Sequence, residues 1–183
     1  SKFAEMPKLG VAGTPFVEDA GQPGSHSYGH AMANLEHVSG ACQLFRRSCF
    51  EEIGGYLPIK GGGIDWVAVT SARMRGWTTR TFLDRTCLHH RAMGTADRGR
   101  IKARFRHGQE DYLVGNHPLW EIARGCFQMK NRPLVFGGLS LMAGYVWAAL
   151  AQQPNPIPDD LRRFHRCEQM KRIRILLSVR GGR

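Results

Sequence analysis

The twenty residues from position 134 to 153, LVFGGLSLMAGYVWAALAQQ, carry no charged side chain. At 1.5 Å per residue a helix of this length reaches ~30 Å, which matches the hydrocarbon thickness of a bilayer. Glycines, a serine and two glutamines lower its hydrophobicity, and basic residues on both sides give no orientation signal. We therefore expect a re-entrant or interfacial membrane segment rather than a single span, with a buried core helix as the alternative.

The positive charge of the chain lies mainly in the same half. The net charge is +11; residues 1–94 hold ten Lys or Arg and eight Asp or Glu, and residues 95–183 hold sixteen and seven. The resulting +9 of the second half suits an anionic partner, either a lipid surface or a nucleic acid. The sequence contains no helix-turn-helix, zinc-finger or RNP pattern. Because the basic residues cluster around the apolar run, an anionic membrane surface is the expected partner, and nucleic acid is disfavoured.

Strand and helix signals alternate in the first half, which predicts an α/β layer. A strand with a glycine interruption is expected over residues 9–17, a strand that runs into a helix over residues 37–47, and a further strand over residues 79–91. Arg46 and Arg47, at the end of the second strand, are expected to be solvated. The pattern Ser48-x-x-Glu51 fits a capping box, so we expect a helix to begin at Ser48 and to end at the glycine pair that follows.

From residue 95 onward the pattern becomes helical, so the chain is expected to divide into residues 1–94 and residues 95–183. Prolines mark two helix starts, at Pro118 and Pro158, and Asn131 and Pro133 suit the start of the uncharged run. Five cysteines without a C-x-x-C spacing favour reduced thiols over a disulfide framework. We expect these cysteines to pack as small core residues.

The stretch GGGID, residues 61–65, presents a single carboxylate, Asp65, at a predicted helix start. Glycines allow a positive φ angle or the close approach of a ligand, and the positive end of the helix dipole favours an ionised carboxylate. Such a carboxylate can accept a proton from an attacking hydroxyl group. An aspartate at this position is also typical of an ordinary N-cap, and local sequence alone favours that interpretation over a catalytic base.

Several stretches, in this order, resemble the C-terminal half of a family 2 glycosyltransferase with the GT-A, Rossmann-like fold: HVSGACQLFRRSCFEEIGGYLP, GGGIDWVAVTSARMRGW and TRTFLDRTCLHHRAMGTA. Two later stretches, FRHGQEDYLVGNHPLWEIARG and RPLVFGGLSLMAGYVWAAL, are similar to a branch of that family that assembles bacterial polysaccharides. The resemblance covers residues 1 to about 175. It implies the acceptor-side half of a GT-A domain over residues 1–94 and a helical, membrane-associated tail over residues 95–183.

The resemblance implies an inverting hexosyltransferase that moves a sugar from a nucleotide-sugar donor to a glycan or lipid-linked acceptor, at the cytoplasmic face of the bacterial inner membrane. Asp65 takes the place of the family's catalytic base and acts alone, because Ile64 replaces the Glu that often precedes it. Substrate-binding positions are implied at Gly40, Gln43, Gly62 and Gly63. His89 and His90, at a predicted strand end, are the implied metal ligands.

A GT-A transferase normally holds its nucleotide and its divalent metal, Mn²⁺ or Mg²⁺, with N-terminal strands and an Asp-x-Asp motif. No Asp-x-Asp occurs in this sequence. The resemblance therefore implies that the metal is bound mostly by a preceding half and that this chain is truncated at its N-terminus. Two other functions stay open, a non-enzymatic basic module that binds membrane or nucleic acid and a membrane-bound scaffold or degenerate transferase.

Overall fold

The computed structural model describes residues 1–18, 35–59, 62–90, 99–129 and 134–180. The chain forms two compact units, Ser1–Met93 and Gly94–Arg183. The helices and strands of the first unit are α1 (Lys2–Glu5), β1 (Leu9–Gly13), β2 (Phe16–Glu18), β3 (Gln43–Phe45), α2 (Arg47–Glu52), α3 (Ile64–Met74), β4 (Thr78–Thr81) and β5 (Cys87–His89). A short 3₁₀ turn, Gly40–Cys42, leads into β3. The α/β class expected for this part of the chain is confirmed.

Two small sheets form the β-structure of this unit. One sheet has the order β3-β1-β4, in which β1 runs antiparallel to β3 and parallel to β4. The other pairs β2 with β5 in parallel. Helix α3 supplies the crossover that a parallel pair such as β1 and β4 requires.

The segment 9–17 divides into β1 and β2 after Gly13, in keeping with the expected glycine interruption. The prediction of a single strand over residues 79–91 was wrong, because its described part divides into β4 and β5. The first break falls at Pro15, which has no N–H to donate to a ladder; its carbonyl instead accepts a hydrogen bond from the Cys87 amide at 2.8 Å. The second break falls at a turn through Leu83 and Asp84. β1 and β4 end at paired residues, Gly13 and Thr81. The segments that follow them, β2 and β5, then pair with each other as a separate sheet.

The core of this unit lies between the three-stranded sheet and helices α2 and α3. Its fully buried members are Val11, Val38, Cys49, Val69 and Ala72, and Phe45, Ile53 and Trp77 pack against them. Cys49 is thus the core residue that the composition predicts, and burial raises the pKa of its thiol to about 11. The prediction was wrong for Cys126 and Cys167, which are exposed in the second unit.

Arg46 is not the solvated side chain that the sequence suggests. Its Nε donates to the Leu9 carbonyl at 2.9 Å and its Nη2 donates to the Met6 carbonyl at 3.2 Å. Its guanidinium also lies 5.5 Å from the centre of the Phe3 ring, within the range of a cation–π contact. Arg46 therefore fastens the N-terminal segment and β1 to the start of α2.

The start of α2 also differs from the expected capping box, because Arg46, which makes these contacts, directly precedes the helix. The helix begins at Arg47, one residue before Ser48, and Arg46 occupies the N-cap without a side-chain cap hydrogen bond. Glu51, the expected capping partner, instead accepts a hydrogen bond from Arg47 Nε at 2.8 Å. Long-range contacts of Arg46 fix this helix start, and local capping chemistry does not.

The second unit is helical, with α4 (Arg100–Leu113), α5 (Pro118–Gln128), α6 (Leu134–Leu150) and α7 (Asp159–Arg180). Pro118 occupies the first turn of α5 as expected, and the His117 side chain accepts a hydrogen bond from the Leu119 amide to cap the helix. Pro158 directly precedes α7. Asn131 and Pro133, expected at the start of the uncharged run, lie outside the described residues.

Helix α6 covers most of the uncharged run, and glycines bring it close to its neighbours. Gly144 lies against the Phe105 carbonyl of α4, and Gly108 of α4 lies against the Leu141 carbonyl, with no room for a Cβ at either position. Gly138 of α6 lies against the Gly125 carbonyl of α5 in the same way. Among the helices that the structure describes, none combines the length and the hydropathy needed to cross a membrane.

Candidate active site

Asp65 lies at the second position of α3, whose N-cap is Gly63. The alternative interpretation of Asp65 as the N-cap itself was therefore wrong. Gly62 and Gly63 have φ angles of +126° and +81°, which glycine adopts at little cost and which other residues avoid. These two glycines turn the chain abruptly into the helix, and the first-turn position places the Asp65 carboxylate at the positive end of the helix dipole.

A backbone amide from a distant turn holds the Asp65 carboxylate. The Gly40 N–H donates to Asp65 Oδ2 at 2.8 Å. A Cβ on residue 40 would lie 2.7 Å from that oxygen and 2.9 Å from the Asp65 Cβ, so only glycine permits this approach. The Ser39 hydroxyl accepts a hydrogen bond from the Ala41 amide at 3.4 Å and shapes the turn.

Gln43 connects the same turn to the helix. Its Nε2 donates to the Val38 carbonyl at 3.1 Å and to the Asp65 carbonyl at 3.4 Å. Its Oε1 accepts a hydrogen bond from the Tyr56 hydroxyl at 2.8 Å. Gly40, Gln43, Gly63 and Asp65, named from the sequence as site residues, are thus brought together across more than twenty positions of chain.

Tyr56 is a member of this site that the sequence interpretation missed. Its ring packs edge-on against Phe45 and Phe50, with centroid distances of 5.8 and 5.4 Å. Partial burial, and then the negative charge of Asp65, raise the pKa of the Tyr56 hydroxyl, which keeps it a hydrogen-bond donor. The residue follows a glycine pair in a segment without periodicity, and no local signal indicates that it faces Gln43.

The two histidines proposed as metal ligands lie on a different element. His89 ends β5, a strand of the two-stranded sheet, and His90 directly follows that strand, whereas Gln43 opens a strand of the other sheet. Within the described part of the chain, no group of three His, Cys, Asp or Glu side chains is placed to bind a metal ion. The described residues therefore do not form a complete metal site by themselves.

A second cluster of polar side chains is buried in the helical unit. Arg124 of α5 donates to the carboxylate of Asp111 of α4, and Glu121, one turn before Arg124, is only 2% exposed. Neither carboxylate oxygen of Glu121 has a hydrogen-bond partner among the described residues. Burial, and then the negative charge of Asp111, raise the pKa of Glu121 to about 8.

Asn116, in the turn between α4 and α5, extends this cluster toward the other helices. Its side-chain oxygen is 2.8 Å from His165 Nε2 and accepts a hydrogen bond from Gln169 Nε2 at 2.8 Å, both on α7. Its backbone carbonyl accepts a hydrogen bond from the Tyr145 hydroxyl of α6 at 2.8 Å. The cluster thus joins all the described helices of the unit, and we interpret it as structural.

Comparison with known proteins identifies no relative: no protein-family model matches the chain, and neither a curated protein nor a solved structure matches it. A function for this chain is therefore inferred from the geometry around Asp65 and from the resemblance of its sequence stretches.

Proposed function

We propose that the chain is the acceptor-side half of an inverting family 2 glycosyltransferase with the GT-A fold, and that Asp65 is its catalytic base. The observation that carries the proposal is the hydrogen bond between the Gly40 amide and Asp65 Oδ2. It joins two of the stretches on which the resemblance rests, and it fixes one oxygen of a carboxylate that is only partly buried. A base needs this combination of a fixed position and access to substrate.

The reaction proposed for the site is a single displacement. The Asp65 carboxylate removes the proton of an acceptor hydroxyl as that oxygen forms a bond to the anomeric carbon of the donor sugar. The bond between the anomeric carbon and the diphosphate oxygen breaks, and the nucleoside diphosphate leaves with the electron pair from the opposite face. The configuration at the anomeric carbon is therefore inverted.

The neighbours of Asp65 have positioning roles in this proposal. The glycines at 62 and 63 allow the chain to pass close to the acceptor without side chains in the way. The hydrogen bonds from Tyr56 to Gln43 and from Gln43 to the Asp65 carbonyl keep the start of α3 in register with the turn at Gly40. The donor's nucleotide is proposed to bind mainly to a preceding half of the enzyme.

A divalent cation, Mn²⁺ or Mg²⁺, would stabilise the negative charge of the leaving diphosphate. His89 and His90 remain proposed ligands, and residues beyond those described here would have to complete the site. The base role of Asp65 does not depend on which residues hold the cation.

The test is the Asp65→Asn variant of the enzyme that combines this chain with its donor-binding half. Loss of a general base is expected to lower kcat by about 10²- to 10⁴-fold, while donor affinity, measured by calorimetry, stays unchanged. Asp84→Asn is the matched control, because Asp84 is an exposed carboxylate whose described ion pair is with Lys2 at 3.8 Å. A kcat of Asp65→Asn close to that of the control would refute the assignment.

A further inference from the structure

Most of the buried residues of helix α6 are small, and most of its exposed residues are large. The buried positions are Gly137, Gly138, Leu141, Gly144, Tyr145 and Ala148. The exposed positions lie along the opposite side and are all apolar: Leu134, Val135, Phe136, Leu139, Ala143, Val146, Trp147 and Leu150. We call this second set the outer face of α6. A helix that faces water normally carries polar residues there.

Close helix contacts explain why two of the buried residues of α6, Gly138 and Gly144, are glycines. The backbones of α4 and α6 approach closely where Gly108 and Gly144 lie against carbonyl groups of the partner helix. Between α5 and α6, Gly138 lies against the Gly125 carbonyl, and Gly125 lies against the Met142 side chain. Small residues toward the protein and large apolar residues away from it are the arrangement typical of helices whose outer side contacts lipid.

The outer face is large enough to require a partner. Phe136, Trp147 and Leu150 are 69%, 58% and 77% exposed. The two aromatic side chains alone leave about 250 Å² of apolar surface uncovered, since each presents roughly 150–250 Å² in full. Adding the remaining aliphatic side chains exceeds the few hundred Å² that a monomeric soluble protein commonly exposes as one patch.

The charge of the same unit selects the partner. Helix α7 carries seven Lys or Arg and three Asp or Glu, a net +4, within a half of the chain whose net charge is +9. Beside α6, the Ile101 carbonyl of α4 accepts a hydrogen bond from Ser140 Oγ at 2.8 Å, and the next residue, Lys102, is exposed. A second copy of the chain would be repelled by this charge, whereas an anionic lipid surface would be attracted.

We propose that the outer face of α6 inserts into one leaflet of an anionic bilayer, with the helix lying along the membrane surface. Its seventeen residues reach about 25 Å. Since the buried side of α6 is occupied by α4 and α5, only the outer face can enter the hydrocarbon. Insertion of such a face typically reaches about 5–10 Å below the headgroups.

The test is flotation of the 183-residue chain with phosphatidylcholine vesicles, with and without about one third phosphatidylglycerol, at low and high salt. We expect flotation with the anionic vesicles at low salt and a weaker but measurable fraction at high salt, because apolar insertion is not screened. Trp147→Ser combined with Leu150→Ser should lower the partition coefficient about tenfold or more. The matched control is Leu83→Ser combined with Leu88→Ser, which removes two exposed leucines of the first unit and should leave it unchanged.

Brominated phosphatidylcholine included in the anionic vesicles gives a second readout, because bromine quenches a tryptophan that enters the acyl region. Quenching should be strong in the wild-type chain and largely lost in Trp147→Phe. The proposal is overturned if vesicles are not bound at low salt, if the serine variants bind as well as the control, or if wild-type quenching matches that of Trp147→Phe. It is equally overturned if sedimentation shows that the wild-type chain and the control are dimers while the Trp147→Ser, Leu150→Ser variant is a monomer. Preferential binding of the chain to DNA over vesicles would overturn it as well. None of these measurements requires sugar transfer, so they are independent of the role proposed for Asp65.

Discussion

Replacing Glu121 by Gln should remove a pH dependence from the stability of the helical unit. Glu121 is 2% exposed, and burial followed by the charge of Asp111 raises its pKa from 4.5 to about 8. The ionisable groups facing it are Asp111 of α4, Arg124 of α5 and Tyr145 of α6. Since Arg124 is already paired with Asp111, the folded protein keeps Glu121 protonated at pH values where the unfolded chain has released the proton.

The sign and size of the effect follow from this difference in protonation. Unfolding between pH 4.5 and about 8 releases the Glu121 proton, so raising the pH favours the unfolded state. The contribution of Glu121 is fully present below pH 4.5 and is lost at about 1.4 kcal/mol per pH unit as the pH rises through this window. From pH 5.5 to 7.5 the free energy of unfolding should therefore fall by about 2–3 kcal/mol on account of this residue.

Glutamine has nearly the shape of protonated glutamate but does not titrate. The stability of Glu121→Gln relative to wild type should thus rise by about 2–3 kcal/mol between pH 5.5 and 7.5, and titrating groups that do not interact with Glu121 cancel in this difference. Urea denaturation followed by helical circular dichroism at several pH values measures it. Asp159→Asn, which removes an exposed carboxylate paired with Arg162, is the control. A stability difference between Glu121→Gln and wild type that stays constant with pH would refute the reasoning.

Three further predictions concern tight contacts and one buried thiol. Gly40→Ala forces a Cβ to within 2.7 Å of Asp65 Oδ2, so it should cost about 1–3 kcal/mol in thermal unfolding and lower transferase turnover as well; unchanged turnover would contradict the positioning role. Gly108→Ala places a Cβ against the backbone of α6 and should destabilise the helical unit by about 3 kcal/mol or more, which denaturation followed by circular dichroism would detect. Cys49, whose thiol pKa burial raises to about 11, should react with a thiol reagent at pH 8 only after unfolding, whereas Cys126 and Cys167 should react in the folded protein.

Local sequence signals predicted the elements better than their ends. The start of α3 after a glycine run and Pro118 in the first turn of α5 were predictable because the chemistry that fixes them lies within a few residues. The break between β1 and β2 follows Gly13 and includes Pro15, which cannot donate to a ladder, so it too is fixed by local chemistry. The start of α2 depends on the bonds from Arg46 to Leu9 and Met6, about forty positions away, and no local pattern reports them.

The candidate site shows the same division between local and distant information. Asp65 was identifiable from its glycine-rich approach, and Gly40 and Gln43 were named only through the resemblance to a family. Tyr56 was missed because it lies in a segment without periodicity. The buried cluster around Glu121 was missed because an acid in a helical pattern is normally solvated. Its burial becomes visible only when α4 and α5 are packed together.

The hydrogen bond that holds the Asp65 carboxylate is donated by the backbone N–H of Gly40 and not by a side chain. A peptide N–H has no proton to lose in the physiological pH range, so the donor of this bond does not titrate. Among substitutions at residue 40, only proline would remove the donor; any other residue keeps the N–H and instead pushes the carboxylate away. In laboratory evolution, this position should therefore respond to changes in the shape of the turn at 39–42 rather than to an exchange of one polar group for another.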